Sequence, residues 1–401
     1  QRWIHRMEES IGGVAADLLA FPARLAGTRA YRYLLRALKE RQPPDCRADI
    51  HLVAPDYVDA NPAERPVVER IFAAFCRAKE DQQKADAHLL PEGGWKKVLE
   101  TSYAPLLCSW KENDLDLFHQ FLTNFGAWHE PTGITESYLL RGIRHSPRRQ
   151  LHFEQREMAN AIHWWTMFES QGRQLDALSM PRFGNQCGVT VDGHFLSTDA
   201  VASDVDSRVI AGLVSDCPRP QLAELGGGYG RLVHFLSRHI STFRYLGFDL
   251  PECICCASYY LMLAFPEKRF LLYGEADWDS DVANEYDFVL LPSFELAKLP
   301  DQSVDLFLNE NSLGVMLPDT CRYFVGEMCR GSRGIWHRNH EIRRNHLPQG
   351  NTTLVNSEYP IPKHDFIQRL RFPDVRRFIV GQSWTLDNDM YWYYFQRNVK
   401  L

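Results

Sequence analysis

The chain has 401 residues, with 45 Lys and Arg against 51 Asp and Glu and a formal net charge of −6. Apolar residues make up 45% and charged residues 24%, which excludes a disordered, collagen-like or fibrous chain and predicts a folded protein with a large core. The acidic balance argues against nucleic acid as a partner, because such binders carry a basic excess or stripe. No run of about 18 apolar residues is present to span a bilayer, and Asp17 and Arg24 interrupt the one stretch near the start that faintly resembles a signal segment.

Ten cysteines are scattered without framework spacing, which predicts reduced, buried thiols and a cytoplasmic protein. Cys253, Cys255 and Cys256 cluster, but no further ligands stand at a zinc spacing, so no metal site is expected.

The first 180 residues read as helical. Helical spacing predicts helices over 28–41, 66–85, 114–125, 134–141 and 150–171. Asp192-Gly193 between two short alternating runs predicts a hairpin, with Ser197 or Thr198 capping a helix to about Val214. From Gln221 onward the pattern alternates: strands at 221–225, 243–249, 286–291, 304–309 and 334–339, with helices at 231–239, 252–264 and 318–329 between them. Such alternation predicts a parallel sheet covered on both faces. Two tail segments, 375–380 and 391–397, read as a closing antiparallel pair. The expected division is a helical region over 1–180, for acceptor recognition or oligomerisation, and an α/β domain over 181–401.

The informative segment is Glu224-Leu225-Gly226-Gly227-Gly228-Tyr229-Gly230-Arg231, between a strand and a helix. Glycines there allow a tight turn and close approach of backbone to a ligand. The dinucleotide spacing G-x-G-x-x-G fails, because Arg231 or Val233 stands where the third Gly should be. An acid precedes the turn, and a second acid, Asp249, ends the next strand, where it suits a ribose diol. A cofactor that is cationic and carries no phosphate fits, and S-adenosylmethionine has a sulfonium, an ammonium and a ribose.

With Asp249-Leu250-Pro-Glu, Leu291-Pro292, Asp305-Leu-Phe-Leu-Asn309, Ser312-Leu-Gly and Trp336-His337-Arg-Asn339, these residues resemble the sugar O-methyltransferases linked to bacterial polysaccharide synthesis. The hairpin with Ser197-x-Asp199 also fits, and the likeness covers about 184–345. It implies a class I methyltransferase (Rossmann-like) fold: a mostly parallel sheet with helices on both faces, preceded by the helical region. One departure is Val315-Met316, where a Glu-Met pair is expected. The resemblance implies methyl transfer from S-adenosylmethionine to a sugar hydroxyl, on a glycan or an activated sugar. Homo-oligomers or association with polysaccharide-synthesis enzymes would follow.

The cofactor residues are then Glu224, Gly226, Gly227, Gly228, Tyr229, Gly230, Asp249, Leu250, Pro292, Ser293 and Asn309. A hydroxyl acceptor needs a general base, for which the candidates are His337, His340 and Glu310, at or beyond strand ends. On a regular strand the two histidines point to opposite faces, which makes them a poor metal pair. Arg231, Ser197, Asp199, Asn339 and Glu358 are the candidate acceptor contacts, and Trp278, Trp336, Trp384, Tyr391 and Trp392 offer aromatic faces for a sugar. Asp277, Asp279 and Asp281 read as an acidic surface loop. Rival readings are N-methylation of an amino sugar or small natural product, and a non-catalytic cofactor- or glycan-binding module.

Overall fold

The computed structural model describes residues 49–128, 134, 147–168, 175–278, 284–347, 350–374 and 389–398. The expected helices over 28–41 and 134–141 lie outside them, apart from Ile134, as do Trp384, Asp279 and Asp281.

The first described element is a strand, β1 (Ile50–Val53), which the helical reading of this region missed. Four helices follow: α1 (Arg65–Gln82), α2 (Gly93–Thr101), α3 (Ala104–Glu112) and α4 (Leu115–Asn124). Pro66 occupies the first turn of α1, where its missing N–H costs nothing. Asp114 caps α4 by accepting from Leu117 N at 2.9 Å. After α5 (Pro147–Phe168) comes the hairpin of β2 (Gly188–Val191) and β3 (His194–Leu196). Asp192 and Gly193 both take positive φ at its tip, as a two-residue turn requires. β1 pairs antiparallel with β2, so this small sheet is stitched across more than 130 residues of chain. α6 (Ala200–Leu213) starts from Asp199 with no side-chain cap bond. The expected Ser197 or Thr198 cap is absent there; Ser197 contributes only its carbonyl, which accepts from Ala200 N.

The main sheet contains β4 (Gln221–Leu225), β5 (Arg244–Asp249), β6 (Phe270–Leu272), β7 (Phe288–Pro292), β8 (Leu306–Glu310), β9 (Gly334–His340), β10 (Phe366–Pro373) and β11 (Met390–Arg397). Helices α7 (Arg231–His239), α8 (Pro251–Ala264) and α9 (Pro318–Gly331) connect them. The strand order is β10-β11-β9-β8-β4-β5-β7-β6. β4 to β9 run parallel, and β11 enters antiparallel between β9 and β10. The chain leaves β4 toward β5 and β7, then returns across it to β8 and β9. With the inverted closing pair, that is the class I methyltransferase arrangement, extended by the edge strand β6.

Two apolar layers sandwich the sheet, with alternate strand residues feeding each. Leu222, Tyr245, Leu290, Leu308 and Trp336 join the core beneath α7 and α8, which continues into α1, α4 and α5. Ala223, Leu246, Val289, Phe307 and Ile335 join the other, beneath α9. α8 is buried on nearly every side, which explains its three apolar cysteines. The closing pair corrects the sequence reading. β11 lies where expected, but its partner is Phe366–Pro373, and 375–380 lies outside the described residues. Gln368, Arg369 and Arg371 disguise β10 as a loop; on an exposed edge strand such residues guard against misplaced pairing.

Candidate functional site

The crevice lies at the C-terminal ends of β4, β5 and β8, where the strand order reverses. Gly226 and Gly228 mark its floor for different reasons. Gly226 has φ +78°, and a Cβ on it would stand 2.3 Å from Ser312 Cβ, so the turn packs down onto the loop after β8. Gly228 has φ +60°, and among the described residues a Cβ there would meet Ile134 alone, at 3.7 Å. The turn is therefore tight against the protein at Gly226 and, among the described residues, less crowded at Gly228. Tyr229 is buried, with its ring 5.2 Å from that of Tyr260 and 5.9 Å from that of Phe125 in α4's last turn. Gly230 is the N-cap of α7.

Two carboxylates flank the turn. Glu224 is buried and accepts from Tyr245 Oη at 2.7 Å. Burial first, then the Glu310 and Asp249 charges, push its pKa up to about 8 against the hydrogen bond from Tyr245. Asp249 ends β5 and accepts from Leu250 N at 2.7 Å and Gly228 N at 3.1 Å. Burial still raises its pKa to about 7. Pro292 stands beside Asp249 in register, and Ser293 is buried next to it. Leu250 is partly buried against the main core.

Asn309 does other work than the sequence suggests. It is fully buried, donates to Leu225 O at 2.9 Å and Ser312 Oγ at 2.5 Å, and accepts from Asn339 Nδ2 at 2.9 Å. Asn309 and Asn339 thus tie the ends of β4, β8 and β9 together, which spends their donors on the scaffold. Asn339 Oδ1 is buried and without a hydrogen-bond partner.

The three candidate bases divide clearly. His337 is sealed inside: its ring stacks on Tyr393 at 5.1 Å and on Phe395 at 5.9 Å, with Tyr359 edge-on at 5.4 Å. Neither ring nitrogen has a hydrogen-bond partner, and burial lowers its pKa to about 3. A base must reach the proton it removes, and the structure gives His337 a closed aromatic surrounding in place of such access. Glu310 accepts from Arg338 Nη2 at 3.1 Å, and Arg338 Nη1 also reaches Asp374 at 3.0 Å. The Glu310, Asp374, Asp206 and Asp199 charges raise the Arg338 pKa against burial. Glu310 is thus a counter-ion of a buried guanidinium.

His340 ends β9, and its Nδ1 lies 2.7 Å from Asp389 Oδ1. Asp389 also accepts from Ile342 N and, at 2.6 Å, from Arg343 N. Burial pushes this carboxyl up, but those hydrogen bonds with His340 outweigh it and hold its pKa below the usual range. The hydrogen bond to the Asp389 carboxylate favours the tautomer with its proton on Nδ1, and in that neutral tautomer Nε2 is an acceptor. His340 Cδ2 lies 3.7 Å from where a Cβ on Gly314 would stand, beside the loop after β8. Of the three candidates, this one has an oriented ring beside the loop after β8. Asp389, 49 residues away, has no sequence signal that links it to His340.

The acceptor candidates scatter. Arg231 and Asp199 pair with each other at 3.0 Å. Ser197 is fully buried, and its hydroxyl has no hydrogen-bond partner. Glu358 is a surface group clamped by both Arg344 Nη atoms at 2.6 Å, which hold its pKa down. Trp336 and Trp392 are buried against one another at 6.4 Å, Trp278 donates to Glu295, and Tyr391 lies under the Arg371 guanidinium. These four act in packing, not as open platforms. Among the described residues no group of three or more His, Cys, Asp or Glu is placed to hold a metal ion, and no helix is long and apolar enough to cross a membrane.

No protein-family model matches the sequence, and no curated protein matches it. Solved structures do. Mitomycin 7-O-methyltransferase aligns at 12% identity and TM-score 0.33 over 50% of this chain and 56% of its own. Magnesium protoporphyrin IX methyltransferase from Synechocystis PCC 6803, solved with bound S-adenosylmethionine, aligns at 13% identity and TM-score 0.33 over 50% of this chain and 81% of its own. The 1,6-didemethyltoxoflavin-N1-methyltransferase of Burkholderia thailandensis aligns at 15% identity and TM-score 0.31 over 50% of this chain and 79% of its own. This chain thus spans little more than half of the mitomycin enzyme. The strand order described above is what assigns the class I methyltransferase fold.

Proposed function

We propose that the chain is an S-adenosylmethionine-dependent O-methyltransferase whose acceptor is a sugar hydroxyl, on a glycan or an activated sugar. The observation that carries the cofactor assignment is the pair of acids at the strand ends, the buried Glu224 and the partly buried Asp249, each raised by desolvation and Glu224 further by its neighbours. Such a pair is costly on its own and is relieved by a cation. In this reading Asp249 takes the ribose diol, the backbone at Gly228 lets the cofactor approach closely, and Glu224 faces its positive charge. Leu250, Pro292 and Ser293 border the same end of the sheet. The cofactor supplies an activated methyl group for in-line displacement.

For the acceptor, His340 takes the hydroxyl proton on Nε2, and Asp389 orients its ring and stabilises the imidazolium. That proton removal suits a hydroxyl better than an amine, which needs less help from a base. The sugar assignment is supported by the run of motifs from Glu224 to Asn339. The N-terminal helices supply the other wall of the cleft and recognise the acceptor, and the enzyme works in the cytoplasm beside polysaccharide synthesis.

The test has two parts. Calorimetry with S-adenosylhomocysteine should show binding, and Asp249→Ala should weaken it by about 1.5–3 kcal/mol, the range for hydrogen bonds to a charged group. Glycan and nucleotide-sugar pools incubated with methyl-labelled cofactor should gain one CH2 by mass spectrometry. Cofactor binding with no methylated product from any pool would leave a binding module instead.

A further inference from the structure

Away from the crevice, the end of α1, helices α2 and α3 and the first turn of α8 enclose a groove of about 380 Å³. That is the size of small-molecule sites, which combine apolar walls with a few fixed polar groups. Leu99, Leu107 and Trp110 give the apolar wall. The polar floor is built from Lys79 and Glu252. Lys79 Nζ donates to Gln82 Oε1 at 2.6 Å and to Glu252 Oε1 at 2.7 Å, and it lies 5.7 Å from the Trp110 ring centre. An ammonium carries three protons, so one donor remains. Glu252 is fully buried, and its Oε2 has no hydrogen-bond partner. A buried carboxylate oxygen without a donor is costly and calls for an explanation.

The floor selects its ligand by elimination. A phosphate or carboxylate would face the Glu252 charge. An ammonium would face Lys79. A purely apolar ligand would leave Oε2 unsatisfied. A hydroxyl does both jobs, donating to Oε2 and accepting from Nζ, and a ring with an apolar C–H face lies against Trp110. We propose that this groove binds a neutral polyhydroxylated ring, a hexopyranoside, through Glu252, Lys79 and Trp110.

The groove is tied to the crevice. Glu252 follows Asp249 by three residues, and Cys253, on the same turn, lies 4.0 Å from Tyr103 Oη. A sugar held here is a distal unit of the acceptor glycan; that link to catalysis rests on the function proposed above, whereas the binding itself does not.

The experiment uses the full chain and four neutral probes: methyl glucoside, methyl mannoside, methyl galactoside and methyl N-acetylglucosaminide. Saturation-transfer NMR should detect at least one of them on the wild-type protein, with a change in tryptophan fluorescence. Trp110→Leu and Glu252→Gln should each weaken that probe roughly tenfold or more, the loss expected for one charged hydrogen bond or one stacked face. Leu107→Trp should fill the groove and abolish binding. Should Glu252→Gln fail to fold, Trp110→Leu and Leu107→Trp decide. The proposal is overturned if no probe binds the wild type, if binding survives both of those variants, or if adenosine takes the groove in their place. S-adenosylhomocysteine is titrated into every variant. A protein that binds a glycoside but not that molecule supports the groove and sinks the methyltransferase reading; the reverse result sinks the groove alone.

Discussion

The two halves of the sheet's C-terminal edge handle buried charge in opposite ways. At β4 and β5, Glu224 and Asp249 lie close enough for Asp249 to raise Glu224, and burial raises both. At β8 and β9, Arg338 sits between Glu310 and Asp374, and His340 is matched to Asp389. In one half two carboxyls lie near one another. In the other each charged group has a cationic or hydrogen-bonded partner. An isolated buried charge costs several kcal/mol, and a paired one is tolerated. On the function proposed above, the acid-rich half would take the cationic cofactor and the paired half would take the proton.

The largest expected effect breaks the paired half. Arg338→Met leaves Glu310 and Asp374 buried without their cation and should cost about 3–5 kcal/mol in chemical denaturation, as removal of one partner of a buried pair does. A loss below 1 kcal/mol, on the scale of an exposed pair, would remove the contrast between the halves. Next is His340→Ala, which should slow methyl transfer by about 10²–10⁴-fold, the usual contribution of a general base, while S-adenosylhomocysteine binding stays unchanged. Asp389→Asn should reproduce part of that loss and alter the pH–rate profile. Full turnover in His340→Ala would point to an amine acceptor.

The acid-rich half should respond in the other direction. A carboxyl raised in the folded state holds its proton more tightly there than when unfolded. The ligand-free protein should therefore lose stability as pH rises from about 4, where unfolded carboxyls ionise, through about 7 for Asp249 and about 8 for Glu224. Glu224→Gln should flatten that slope and stabilise the ligand-free protein by about 1–3 kcal/mol at pH 8, yet weaken cofactor binding. Thermal melts from about pH 5 to about pH 9, with and without S-adenosylhomocysteine, read both effects. A stability that rises with pH would show that these acids are already neutralised.

The contrast also explains what the sequence could reveal. Local signals were strong enough for the strand–helix alternation, the Asp192-Gly193 hairpin and the placement of Glu224 and Asp249 at strand ends. β10 was displaced by several residues because its Gln and Arg side chains belong to an exposed edge. Asn309, Glu310 and His337 carried the right residue types at the right strand ends, but their roles depend on partners far along the chain: Asn339, Arg338 and Tyr393. His340 met the same limit in reverse, because Asp389, which gives it a role, is just as remote. Spacing reads a turn; it does not read a pairing across 28 to 56 residues.

His337 supplies the smallest expected effect and the finest discrimination. Its ring lies parallel to Tyr393 and Phe395, its nitrogens find no hydrogen bonds, and burial keeps it neutral down to about pH 3. A phenyl ring fills similar space and removes two unsatisfied polar atoms, whose burial otherwise costs free energy. His337→Phe should therefore change stability by less than about 1 kcal/mol, in the stabilising direction if at all, and should leave methyl transfer intact. The same change would be ruinous at His340, three residues on, so the two variants compared in one assay separate a packed ring from a working one. A tenfold or greater loss of turnover in His337→Phe with the fold intact would mean that the inner face of β9 opens to substrate, and the division between the two histidines would have to be redrawn.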